Sequence, residues 1–196
     1  MAQKQKAEIE RITEELRQDP RNAAYTEAGT PPVFQIHPDA RVLIIGQAPG
    51  SKVAQSHIPF ADKSGDTLVS WMGITRETFY SDAVSIMPMD FYYPGKGKSG
   101  DLPPRRFIAE EYHARLLKLM PEVKLTLLIG KYSMDYYLGD RAQRNLTETV
   151  KHYQDYLPEY FPIVHPSPLN FRWQAKNPWF LEEVVPQLQE KIRAVL

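Results

Sequence analysis

Cysteine is absent from the 196 residues, which excludes disulfides, thiolate zinc sites, cysteine-held iron–sulfur clusters and a cysteine nucleophile. Stapling of the fold must come from packing alone. An excess of either charge is also lacking. Lysine plus arginine and aspartate plus glutamate both number 24, so no global positive field advertises nucleic acid, although local clustering can still build a basic groove. No run approaches the roughly 18 apolar residues of a membrane span. The start, MAQKQKAEIERITEELRQ, is charged and amphipathic without the apolar core of a signal peptide. A soluble, cytoplasmic protein is the expectation, and no internal repeat is visible.

What is present is globular in composition. Hydrophobic residues make up 42% and aromatic residues 11% of the chain, so the mean hydropathy of −0.46 reflects a charged surface over a real core. The length fits a single domain over residues 1–196, with residues 1–30 forming an N-terminal helix and a wrapping segment. Ile9, Ile12 and Leu16 at helical spacing predict a helix over about 4–18, followed by a Pro- and Gly-punctuated loop through Pro31-Pro32. Strands are expected at 41–46, 83–87, 125–130 and 162–164. Helices are expected from Ser64-Gly65-Asp66, near 107–120, from about 131, near Asn145 and over 178–195. This alternation predicts an α/β/α sandwich around a central parallel sheet of about four strands. Ligands gather beyond the carboxyl ends of such strands, so segments 46–64, 85–98, 130–134 and 165–175 should converge.

Two loops carry unusual chemistry. Gly46-Gln47-Ala48-Pro49-Gly50 follows an apolar strand, and its glycines let backbone amides approach a ligand. It lacks the GxGxxG and GxxxxGKS spacings of the common nucleotide fingerprints. The other, His165-Pro166-Ser167-Pro168-Leu169-Asn170-Phe171-Arg172, gathers an acid/base group, two stiffening prolines, a hydroxyl, an apolar tip and a cation. That is the inventory of a rigid catalytic loop, although a lone histidine at a strand end is more often structural.

Together, GQAPG…PF and HPSPLNFR resemble the uracil-DNA glycosylase superfamily, whose family-1 enzymes carry GQDPYH near the first strand and HPSPLSxxRG near the last. PFADKSGDTL is similar to the PFVGxAGxLL segment of family-4 members. PMDFYYPGKGKSGDLPPR, LTLLIGKYSMDYYL and NPWF resemble a bacterial group of uracil-DNA glycosylase family proteins. The resemblance implies a DNA base glycosylase of base-excision repair. Such an enzyme hydrolyses the N-glycosidic bond of a damaged or deaminated base in single- or double-stranded DNA. No metal or organic cofactor is needed, and a monomer is expected.

What the resemblance assigns agrees with the chemistry. Cleavage passes through an oxocarbenium-like sugar and an anionic base, so negative charge on the base oxygen must be stabilised. His165 matches the histidine that does this. Phe60 matches the aromatic on which the flipped base stacks. Gly46 and Ala48, in the loop to Gly50, would offer backbone amides to the base edge. Leu169 matches the wedge that fills the vacated stack. Ser167, Pro168 and Arg172 fall on the DNA-contacting loop, with Lys96 and Lys98 extending its rim.

Two positions depart from the family pattern. Family-1 enzymes place an aspartate where Ala48 stands, and family-4 enzymes a glutamate where Gln47 stands. An amide holds a water but cannot accept its proton. Gln47 would then orient the water, with Asp62 as the replacement carboxylate and Asp90 next. An asparagine on the second strand reads the pyrimidine edge in many members, and the alignment puts Ser85 there; a hydroxyl cannot match both a donor and an acceptor. Hypoxanthine, xanthine, an oxidised pyrimidine or no excision at all therefore remain open beside uracil. The alternative reading is a catalytically weak or inactive member that binds nucleic acid or a free base. A third is an unrelated α/β hydrolase using Ser167, although no GxSxG elbow is present.

Overall fold

Residues 2–196 are described by a computed structural model. Four strands form its centre: β1 (Val42–Ile45), β2 (Val84–Ile86), β3 (Leu125–Ile129) and β4 (Tyr160–Ile163). They pair in the order β2-β1-β3-β4, every pair parallel. β1, β2 and β3 are buried along their whole length, as expected of parallel strands covered on both faces, whose sequences are near-continuous apolar runs, here interrupted by Ser85 in β2 and Thr126 in β3. β4 is an edge strand, which is where Pro162 is tolerated, since it has no N–H to give to a ladder. Helices on either face complete a three-layer α/β/α sandwich.

Helix Ala2–Gln18 inserts Ile12 and Leu16 into the core. Helix Lys63–Met72 buries Leu68, Trp71 and Met72 and packs on Val185–Val195. Trp71 meets Phe180 edge to face at 4.9 Å. Among the described residues no helix is long and apolar enough to cross a membrane.

Several local features depart from the sequence expectation. The wrapping segment is not all loop, for it folds into a 3₁₀ turn, Pro20–Asn22, and a helix, Ala23–Glu27. Short helices also form at Ser51–Ser56, Arg76–Phe79 and Phe171–Lys176. The expected 107–120 helix is Arg106–Ile108, a π turn at Ala109–His113, then Ala114–Leu117. The π turn lets the neighbours Tyr112 and His113 both point inward. A second π turn, Phe180–Val184, precedes Val185–Val195. It falls where Pro186 removes an N–H and disfavours regular α geometry.

Asp90 is a structural anchor and not a water-activating group. It is fully buried, and both its oxygens are taken. Oδ2 accepts from Arg105 N (3.0 Å) and Nε (2.8 Å), and Oδ1 accepts from Arg105 Nη2 (2.9 Å) and Tyr92 N (3.0 Å). Arg105 Nη1 continues to Asn22 Oδ1 at 2.8 Å. This network fastens the N-terminal wrap to the loop leaving β2.

Candidate active site

β4 runs through Ile163 and Val164 into His165, and the prolines that follow turn the chain at once. Ser167 caps the 3₁₀ turn Pro168–Asn170 by accepting from Leu169 N at 3.2 Å. Asn170 Nδ2 closes the loop by donating to the His165 carbonyl at 2.7 Å. The Ser167 backbone N–H donates to His165 Nδ1 at 3.2 Å. A nitrogen that accepts carries no proton, so the neutral ring has its hydrogen on Nε2. Burial holds the His165 pKa below the usual histidine value, against the opposing charges of Asp62 and Asp101. A neutral ring offering one N–H is the result.

The aromatic wall is built at some backbone expense. Phe60 adopts a left-handed conformation, with φ +55°, uncommon for a bulky residue. Several contacts hold it there. Arg76 Nη1 donates to the Phe60 carbonyl at 3.1 Å, and the Tyr80 hydroxyl donates to the Pro59 carbonyl at 2.8 Å. Arg76 is itself paired with Asp66. Two glycines make room. A Cβ on Gly65 would lie 1.8 Å from the Phe60 carbonyl oxygen, and one on Gly46 would lie 3.4 Å from the ring edge. The ring therefore rests against the first motif loop, with Phe79 edge-on at 6.2 Å.

A cleft of about 540 Å³ opens between these loops. Gly46, Gln47, Ala48, Phe60, Asp62, His165, Ser167 and Leu169 all line it. Segments from the ends of all four strands therefore meet, since Ile86, Pro88 and Tyr132 contribute as well. Asp62 has a second duty: it caps helix Lys63–Met72, accepting from Gly65 N at 3.0 Å. Pro168 and Arg172 lie outside the cleft walls on an exposed rim. Arg172 is 5.7 Å from the Phe171 ring centre, while Leu169 is 85% exposed.

Ser85 is a correction. It is fully buried and does not line the cleft; its Oγ accepts from His37 N at 2.8 Å. Successive strand side chains point to opposite faces, so Ile86 is the β2 residue on the cleft side. Pro88 follows it, and its carbonyl accepts from His113 Nε2 at 3.0 Å. His113 Nδ1 then accepts from the Tyr137 hydroxyl at 2.7 Å. His113, Arg76, Tyr132 and Asp101 are site or support residues that the sequence reading did not single out. Only Tyr132 lay inside a segment expected to converge. Among the described residues no group of three metal-ligating side chains is placed to hold a metal ion.

The solution NMR structure of a "putative Uracil DNA glycosylase" from Methanosarcina acetivorans superposes with a TM-score of 0.47 at 14% identity, covering 80% of this chain and 98% of that one. The sequence profile described as the uracil DNA glycosylase superfamily matches residues 33–189. That span holds both motif loops, all four strands and every cleft residue discussed above, and the chain belongs to the uracil DNA glycosylase superfamily.

Proposed function

We propose that this protein is a monofunctional DNA glycosylase that hydrolyses the N-glycosidic bond of a deaminated or otherwise damaged base. Membership in the superfamily supports glycosylase chemistry on DNA in general. The observation that carries the reading is the His165 ring, whose Nδ1 is occupied by the Ser167 N–H and whose Nε2–H is left for the ligand. A flipped base enters the cleft and stacks on Phe60, while Leu169 fills the gap in the helix. As the glycosidic bond lengthens, negative charge collects on the base oxygen and His165 donates to it. The sugar becomes oxocarbenium-like, and the nearby carboxylates oppose its positive charge.

The base-reading wall argues for a substrate class wider than uracil. Val33, Ile86 and Pro88 give it an apolar face, with no asparagine on β2. Among the described residues the Gln47 amide is held only by a long 3.4 Å contact to the Leu102 carbonyl, so it remains able to turn toward a base carbonyl. Uracil, hypoxanthine and xanthine share such a carbonyl. Purified protein incubated with oligonucleotides carrying each lesion, single-stranded and duplex, should leave alkali-labile abasic sites for at least one. His165→Ala should cut the rate by about 10²–10³-fold, as loss of an oxyanion donor does, while DNA binding persists. If no lesion is released, the enzymatic reading fails and that of a non-catalytic DNA-binding member stands. The absence of a carboxylate at Gln47 and Ala48 is the feature that favours this second reading.

A further inference from the structure

Residues 93–102 fold into a small hairpin over the cleft. Lys96 and Asp101 form an antiparallel bridge. Gly97 N donates to Gly100 O (2.8 Å) and Leu102 N to Gly95 O (2.9 Å). Just beyond the hairpin, Arg105 is locked to buried Asp90, so the base of the loop is fixed. Its tip is directed at the site: Ser99, Gly100 and Asp101 line the same cleft as His165 and Phe60. The Tyr93 hydroxyl donates to Asp101 Oδ1 at 3.1 Å, and among the described residues Oδ2 has no partner. Gln47, at a motif position that lacks its carboxylate, reaches across to the carbonyl of Leu102, the next residue. The opposing charge of Asp101 also acts on the His165 ring, after that of Asp62.

We infer that Asp101 is the catalytic carboxylate of this site, supplied by the hairpin in place of the carboxylate missing from the first motif loop. The inference rests on the glycosylase reading above. Asp62 also keeps one oxygen free, its Oδ1 capping a helix; Asp101 differs in standing next to Leu102, whose carbonyl the Gln47 side chain reaches. In the step, the water oxygen bonds to the anomeric carbon as the carbon–nitrogen bond breaks, its electron pair leaving on the base. The proton lost by the water passes to Asp101 Oδ2 and then to solvent, and the departed base anion takes a proton from solvent. Gln47 holds the water but cannot take its proton.

The test uses the full chain and whichever lesion oligonucleotide the wild type cleaves, in single-turnover excision with anisotropy binding measured in parallel. Asp101→Asn should slow excision by about 10²-fold with unchanged binding and melting temperature, and added formate should restore part of the rate. Asp101→Glu should retain most of it. Tyr93→Phe, which frees the carboxylate without removing it, should fall between. An Asp101→Asn protein that keeps pace with wild type, or one whose loss tracks lost binding and resists formate, overturns the assignment and leaves the glycosylase reading intact. A wild type that releases no base from any lesion removes the glycosylase reading, and the assignment goes with it.

Discussion

Acidification should loosen this protein through one buried side chain far from its surface. His113 is 1% exposed, and burial pushes its pKa down to about 4. Pro88 O can only accept, so the ring carries its hydrogen on Nε2 and receives the Tyr137 hydroxyl at Nδ1. In the unfolded chain the same group titrates near 6.5. Below that value the unfolded state binds a proton that the folded state refuses, so stability is whole above about 6.5 and falls as the pH drops toward 4. Between pH 7.5 and pH 5 the loss from this group is about 2 kcal/mol, and over the whole window about 3 kcal/mol. The carboxylates held low by arginine, such as Asp19 and Glu111, lose their contributions only under more acid conditions. Urea unfolding at half-unit intervals from pH 7.5 to 5 measures the slope, and His113→Gln, which cannot titrate, provides the baseline. Subtracting the variant from the wild type isolates the histidine from the others in the chain. If the two curves run parallel, the imidazole is protonated in the folded state, and the Tyr137–His113–Pro88 chain is wrong as drawn. Because Pro88 lines the cleft, any effect of this histidine on excision should set in only as the folded ring itself protonates, near pH 4.

Other outcomes follow from single contacts. Gly65→Ala drives a methyl into the Phe60 carbonyl, so it should cost about 3 kcal/mol or more in denaturant unfolding, at the upper end of overpacking. Ser64→Ala, one residue away and on the cleft rim, should change stability little. Titration of His165 by nitrogen-detected NMR should find a pKa below the ordinary histidine value and an Nε2–H tautomer at neutral pH; an Nδ1–H signal would contradict the Ser167 hydrogen bond. Leu169→Ala trims the side chain proposed as the wedge, which is 85% exposed. It should slow excision from duplex DNA by roughly tenfold, since the few kcal/mol of unstacking are then less offset, and single-stranded DNA should be affected far less.

The parallel sheet was legible because three of its strands are buried on both faces and therefore read as largely apolar runs, broken only by Ser85 and Thr126, that lead into glycine or proline. The two motif loops were legible for a similar reason: tight turns built from glycine and proline at strand ends use residue types that stand out. Ser85 was misplaced because aligning a motif does not fix the strand's alternation, and a shift of one residue turns a side chain to the other face. The pairing of buried Asp90 with Arg105 and the Arg76 clamp on Phe60 were not legible, since each is a contact between segments distant in sequence. Asp101 escaped notice because a loop rich in glycine and lysine looks solvated whether or not it folds back over a cleft. The π turn that delivers His113 has no sequence signal of its own. Its residues keep a helical pattern on either side, and only packing shows the extra residue.

The charge arrangement of the cleft explains why a neutral histidine suits the proposed chemistry better than a charged one. Asp62 and Asp101 both favour the imidazolium, and a cation formed there would pair with them in the resting state. Such a pair would blunt both fields before any bond stretched: the carboxylates would be less available to a developing sugar cation, and the histidine to a developing base anion. Burial outweighs both carboxylates and keeps the ring neutral, with the Ser167 N–H occupying the nitrogen that would otherwise take the proton. A neutral Nε2–H still donates strongly once the base oxygen becomes anionic, so its effect grows along the reaction and is small at the start. The carboxylates gain in the same way as the sugar becomes positive. The substitutions at Ala48 and Gln47 fit this division, because they remove negative charge from the loop nearest the base ring, while the hairpin carries a carboxylate to the cleft from outside that loop.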